Sequence, residues 1–318
     1  MSPLPESNAS RAARAGLAAA AIAICVAAAT PSLTAQWPRF PNGAVPRTAD
    51  GKVDLNAPAP RAADGKPDLS GVWETAPCLG CLPPVIDGLS PSAPAGRGRG
   101  AATGGATGAD APAGRGNGAP TPGRGNPFGN VGSQTEGGAP YQPWAADLVK
   151  KRMADNSKDN PDAHCLPMGI MQLDSHPYPK KIIQTPAEVI LIYEASGTTI
   201  REVYLDGRKP GKDAEPWWNG YSTGRWEGDT LVVETIGLRD DGWLDVRGSP
   251  LTSEAKLTER IRRPSYGWLE IAVTIDDPKA YMKPFVATVY NRLSHDTQLL
   301  EFVCIDKDAG HYVGAAGK

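Results

Sequence analysis

The sequence predicts a mainly β protein: an antiparallel up-and-down meander that closes into a lipocalin-like barrel or curves into a strongly bent sheet. Three observations predict it. Short runs of alternating apolar and polar residues follow one another through the second half of the 318-residue chain, as in "WLEIAVTID" from Trp268, which is the period of a half-buried strand. Tight-turn signals separate them: Ser196-Gly197, Glu227-Gly228-Asp229, Pro264 to Gly267 and Ser294 to Asp296. Between the runs there is no helix of crossover length, so neighbouring strands should be antiparallel. About nine strands arise this way, from "SGVWET" near residue 70 to "QLLEFVC" ending at Cys304. Closure would remove the two exposed edges, with the "SGVW" strand meeting the last one. The alternative is a two-sheet β-sandwich.

The elements before the sheet are read in order. Arg11 and Arg14, an apolar run from Gly16 to Ala29 and the small-residue exit ending at Ala35 form a cleavable signal peptide over 1–35. The run is shorter than the roughly 20 apolar residues that a membrane helix needs. The mature protein is therefore expected in the periplasm or outside the cell, with no membrane span. Residues 36–63 form an extended arm. A near-duplication, "PRTADGKVDL" from Pro46 and "PRAADGKPDL" from Pro60, places an Asp-Gly-Lys turn in each copy. Residues 64–89 hold the first strand and the "CLGC" loop.

Residues 90–138 are Gly, Ala, Pro and Arg with almost nothing apolar to bury, the composition of a disordered insertion. Its repeated "GRG" has an RNA-binding alternative. Export, a formal net charge of −2 and the lack of interleaved aromatics argue against a nucleic-acid partner. The main domain, 139–318, opens with one short helix whose Trp144, Leu148 and Met153 share a face, ended by Pro161.

Cleavage removes Cys25 and leaves Cys78, Cys81, Cys165 and Cys304. In an oxidising compartment these form two disulfides out of three possible connectivities; Cys78–Cys81 and Cys165–Cys304 is the expected pair. Leu82 follows Cys81, which excludes the c-type haem motif. His164 and His176, with Asp162 and Asp174, have no recognised metal-ligand spacing, so no metal or other cofactor is expected.

The chain resembles a large group of exported bacterial β-rich proteins of uncharacterised activity. The residues that carry the likeness are "DGKPDLSGVW" from Asp64, "CLPMG" from Cys165, the text from Pro177 to Glu194, "LDGRKP" from Leu205, "GRWEGDTLVVET" from Gly224 and "TIDDP" from Thr274. One departure is that "CLPMGIMQLDSHPYP" lacks the Pro-Arg pair that follows the first motif in the group. "DLSGVW" is also similar to the entry strand of lipocalin-like domains, which implies fold and not function.

Chemistry concentrates around "WWNGYSTGR". Trp217 and Trp218 precede Asn219-Gly220, near a barrel mouth. With Tyr221, Arg225 and Arg208 they form an aromatic and basic platform suited to a small, partly apolar ligand. The competing account is a rim plug. Trp226 reads as core and Glu227 and Asp229 as solvated turn acids. In "TERIRRP" Glu259, Ile261 and Arg263 share one strand face and Arg260 and Arg262 the other.

Three functions follow. A ligand-binding barrel predicts an apolar cavity with few ionisable groups. An exported hydrolase or isomerase using Asp240 or Asp241 with His176 predicts a buried acid of raised pKa beside a base. A structural envelope protein predicts a filled barrel. The sequence carries no signal for oligomeric state.

Overall fold

Nine strands join edge to edge in chain order and close on themselves: β1 (Gly71–Thr75), β2 (Lys180–Gln184), β3 (Glu188–Tyr193), β4 (Ile200–Tyr204), β5 (Tyr221–Glu227), β6 (Thr230–Ile236), β7 (Lys256–Ser265), β8 (Trp268–Asp276) and β9 (Phe285–Leu293). The computed structural model describes residues 45–76, 127–195, 199–211 and 215–304. The expected signal peptide, Cys78, Cys81 and most of the Gly-rich insertion lie outside the described residues. The barrel closes where β1 pairs antiparallel with β9, Trp73 opposite Leu293, so the sandwich alternative does not apply.

Two expectations about the strands need correction. First, one joint is parallel: β4 runs alongside β5 with Val203 opposite Ser222 and Tyr204 opposite Thr223. The chain leaves β4, makes an excursion through residues 205–220 and restarts in the same direction. Second, "KKIIQ" is a strand that the sequence reading did not count, while "QLLEFVC" is not one. The partner that "QLLEFVC" would need on β9 is already β1. Its residues pack outside instead, with Phe302 against Tyr178 and Cys304 bonded to Cys165. The long-range disulfide is thus present as expected.

Alternation buries every second residue of the long strands. Leu257, Ile261, Leu269, Ile271, Val273, Ile275, Ala287 and Val289 all face inward and belong to one hydrophobic cluster. Burying a side chain of this size stabilises by about 1.5–3 kcal/mol. β7 shows that the two faces of "TERIRRP" part as expected: Glu259, Ile261 and Arg263 are buried, and Arg260 and Arg262 are not.

The arm seals one end. Each copy of the near-duplication folds into the same small loop: Thr48 N–H bonds to Lys52 O as Ala62 N–H bonds to Lys66 O, and Arg47 and Arg61 donate to the carbonyls of Gly51 and Gly65. The second loop grips the β5–β6 turn through a two-pronged Arg61–Asp229 ion pair. The first lies over the β7–β8 turn, where Leu55 packs so closely on Gly267 that a Cβ there would sit 2.5 Å from the leucine. Below them Leu69 and Trp73 are fully buried, and Arg263 stacks on Trp73 and donates to the Asp68 carbonyl.

Helices and loops build the opposite end. α1 (Pro143–Ala154) buries Ala145 and Val149, whereas Trp144 and Met153 of the expected face are exposed. The small Ala145 lets the helix backbone approach the barrel; Trp144 stays outside with its Nε1–H on the Lys279 carbonyl. A second helix, α2 (Ile170–Ser175), is buried along its whole length. Residues 127–138, assigned from composition to the insertion, are integrated into the domain. Val131 is buried with its N–H on Asp245, and the Gln134 side chain donates to Thr288 O and accepts from Thr288 N–H, completing the edge of β9 beyond the reach of β1.

Candidate functional site

The loop that returns the chain from β4 to β5 is anchored by its backbone at Trp217. Trp217 N–H donates to Gly237 O, and Arg239 N–H donates to Trp217 O. Gly220 then turns with a φ of +60°, pressed so close to Ile236 O that a Cβ would lie 2.6 Å away, a conformation that suits glycine alone. These fixed points leave Trp217 51% exposed, its ring beside that of Tyr221 at 6.0 Å between centroids. Tyr204 adds a third ring, 5.4 Å from Tyr221. The rings border a groove of about 410 Å³ over the β4–β5 joint, with Trp218, Glu202 and Asn219 on its walls and Arg201 and Ser222 at its floor.

Of the five residues expected to contact a ligand, Trp217, Trp218 and Tyr221 line this groove, on the outside of the barrel rim and not in the lumen. Arg208 stands over the Tyr204 ring at 4.2 Å and is bound to Asp206. Arg225 points outward further along β5, paired with Glu227 and Glu234. Its alternation phase matches that of Tyr221, but four strand positions carry it past the groove. Trp218 takes Arg239 on its ring at 5.0 Å.

Directly beneath the floor lies a charged network inside the barrel. Arg201 makes a two-pronged ion pair with Glu259 and also donates from Nε to Ser222 Oγ (3.1 Å) and from Nη2 to Thr235 Oγ1 (2.9 Å). Lys180 Nζ donates to the Asp174 carbonyl (2.6 Å) and to Asn291 Oδ1 (2.8 Å), with Asp174 Oδ1 at 3.8 Å. Tyr193 donates its hydroxyl proton to the same Asp174 oxygen at 2.9 Å. All of these side chains are buried. Burial favours the neutral forms: it pushes Glu259 up, against the pull of Arg201, and pushes Lys180 down, against Asp174. Within this network two acidic side chains, Asp174 and Glu259, face two basic ones, Lys180 and Arg201. A lumen with these ionisable groups is not the apolar cavity that a ligand-filled barrel predicts.

His176 borders the network. Its Nδ1 accepts the Tyr178 N–H, so in the neutral ring the proton sits on Nε2. Burial, and then the Lys180 charge, lower its pKa to about 4. The acids expected to work with it, Asp240 and Asp241, sit elsewhere. Asp240 accepts the Ser253 N–H and Asp241 pairs with Arg239, on a separate cleft of about 640 Å³ that His164 lines instead. Among the described residues no group of His, Cys, Asp and Glu is placed to hold a metal.

Arg201, Lys180, Tyr193 and Asn291 carry no site expectation from the sequence, and Asp174 enters there only beside His176 as a rejected metal ligand. The signal was present: in "IREVYL" Arg201 shares the strand phase of Val203 and Leu205, as Asn291 shares that of Val289 and Leu293. No protein-family model, curated protein or solved structure matches the chain.

Proposed function

We propose that this is an exported binding protein for a small, partly apolar ligand, and that the ligand docks in the groove over the β4–β5 joint. The observation that carries the reading is Trp217, whose backbone is held on both sides while its ring is left half exposed. With the backbone already fixed, only the side chain remains to be ordered at the moment of binding, and a preorganised aromatic surface binds at lower entropic cost than a mobile one. Export is supported by the signal-like first 35 residues, by the motifs shared with the exported β-rich group and by the Cys165–Cys304 disulfide. No helix among the described residues is long and apolar enough to cross a membrane.

Native mass spectrometry of the protein isolated from its own envelope fraction tests the reading, together with tryptophan-fluorescence titration against ring-bearing metabolites. A released small molecule whose binding is lost in Trp217→Ala supports it. No bound molecule and no response over the whole panel would return weight to a structural envelope role.

A further inference from the structure

Resting on the reading of the groove as a binding site, we infer that its ligand is a cation of the alkylammonium class, held against Trp217 and Tyr221 with Glu202 as its counter-charge. The first observation is the charge balance of the groove. Every arginine near it is already paired within the chain: Arg201 with Glu259, Arg208 with Asp206, Arg239 with Asp241 and Arg225 with Glu227 and Glu234. Glu202 is exposed on the groove wall, and among the described residues its polar partner is the neutral Tyr204 hydroxyl, at 2.9 Å, rather than a cation. The surface left to a ligand is therefore net negative, which disfavours a carboxylate or phosphate.

The second observation is what the neighbouring rings already do. Tyr204 and Trp218 each carry a guanidinium from their own chain over the ring, at 4.2 and 5.0 Å. Trp217, which meets Tyr221 on the same groove, carries none among the described residues. An indole face is the strongest cation-attracting ring, and the attraction grows as the cation loses water. Asn219 Oδ1, on the same wall, is buried and has no hydrogen-bond partner among the described residues. It is an acceptor suited to a ligand hydroxyl or N–H. Ring face, carboxylate and amide acceptor together match a hydroxyalkylammonium ion.

Calorimetric titration of the full chain with choline, and with its neutral carbon isostere in which carbon replaces the quaternary nitrogen, tests the inference. Choline is expected to bind about tenfold more tightly than the isostere. Glu202→Gln should weaken choline by about threefold to fivefold, as loss of an exposed counter-charge does. Trp217→Ala should abolish binding, Trp217→Phe should recover part of it, and Arg225→Ala, outside the groove, should change nothing. Equal binding of choline and isostere would overturn the inference. So would silence toward choline combined with Trp217-dependent binding of a neutral ring such as indole, a result that leaves the binding function standing. Failure of all three probes would count against both.

Discussion

Arg201 of β4 and Glu259 of β7 meet inside the barrel as a two-pronged ion pair, with both side chains shut off from water. Both Ser222 and Thr235 hydroxyls turn toward the same guanidinium, and to each other at 2.9 Å. Removing one partner leaves the other charge buried alone. Glu259→Gln is therefore expected to cost about 3–5 kcal/mol in urea unfolding. The double variant Arg201→Met with Glu259→Met should cost clearly less than the two single changes summed. Additive losses would mean that the charges do not depend on one another.

His176 gives the protein an acid-sensitive term. Its folded pKa, about 4, lies below the ordinary 6.5. Between those values the unfolded chain binds a proton that the folded chain refuses, so stability falls as pH drops through this window and levels off below it. The loss should be on the order of 2 kcal/mol after allowing for residual solvent contact. NMR titration of the His176 ring should show a midpoint near 4. His176→Phe should flatten this part of the stability curve, and an ordinary midpoint would remove the prediction.

The Cys165–Cys304 bond closes a separation of 139 residues. Because β1 and β9 already seal the barrel, reduction is expected to lower stability by about 2–4 kcal/mol without opening the sheet. Thermal unfolding with and without reductant, followed by circular dichroism, checks both halves. A β signal lost at room temperature on reduction would show that the disulfide holds the barrel itself.

Gly220→Ala tests the anchoring of the aromatic loop. The added methyl meets Ile236 O in a backbone conformation unfavourable to alanine. A loss of about 1–3 kcal/mol is expected, with a shift in tryptophan emission as Trp217 moves. An unchanged spectrum would mean that the ring is placed by its own two backbone bonds alone.

The sheet was legible because nearly every strand has one buried face, and alternation records that face directly. "KKIIQ" escaped notice because Lys180 and Gln184 occupy inward positions and hide the apolar phase. The parallel joint escaped because alternation is blind to strand direction. Trp217, Trp218 and Tyr221 were legible as a cluster since they lie close in sequence. The network under them was not: its members come from α2, β2, β3, β4, β5, β6, β7 and β9, and only the closed barrel brings them within bonding distance. Arg225 misled for the opposite reason, since closeness in sequence says nothing of how far along a strand a side chain has been carried.

The strand count has a consequence of its own. Going once around a closed ring, direction must return to where it began, and with nine strands alternation cannot do so. An odd ring must contain an odd number of parallel joints, and here it contains one. A parallel joint cannot be made by a hairpin; it requires a return path. The loop carrying Trp217 and Trp218 is that path, so the groove exists by parity. Adding or deleting one strand would let every joint be antiparallel, and the return path would have no reason to be there.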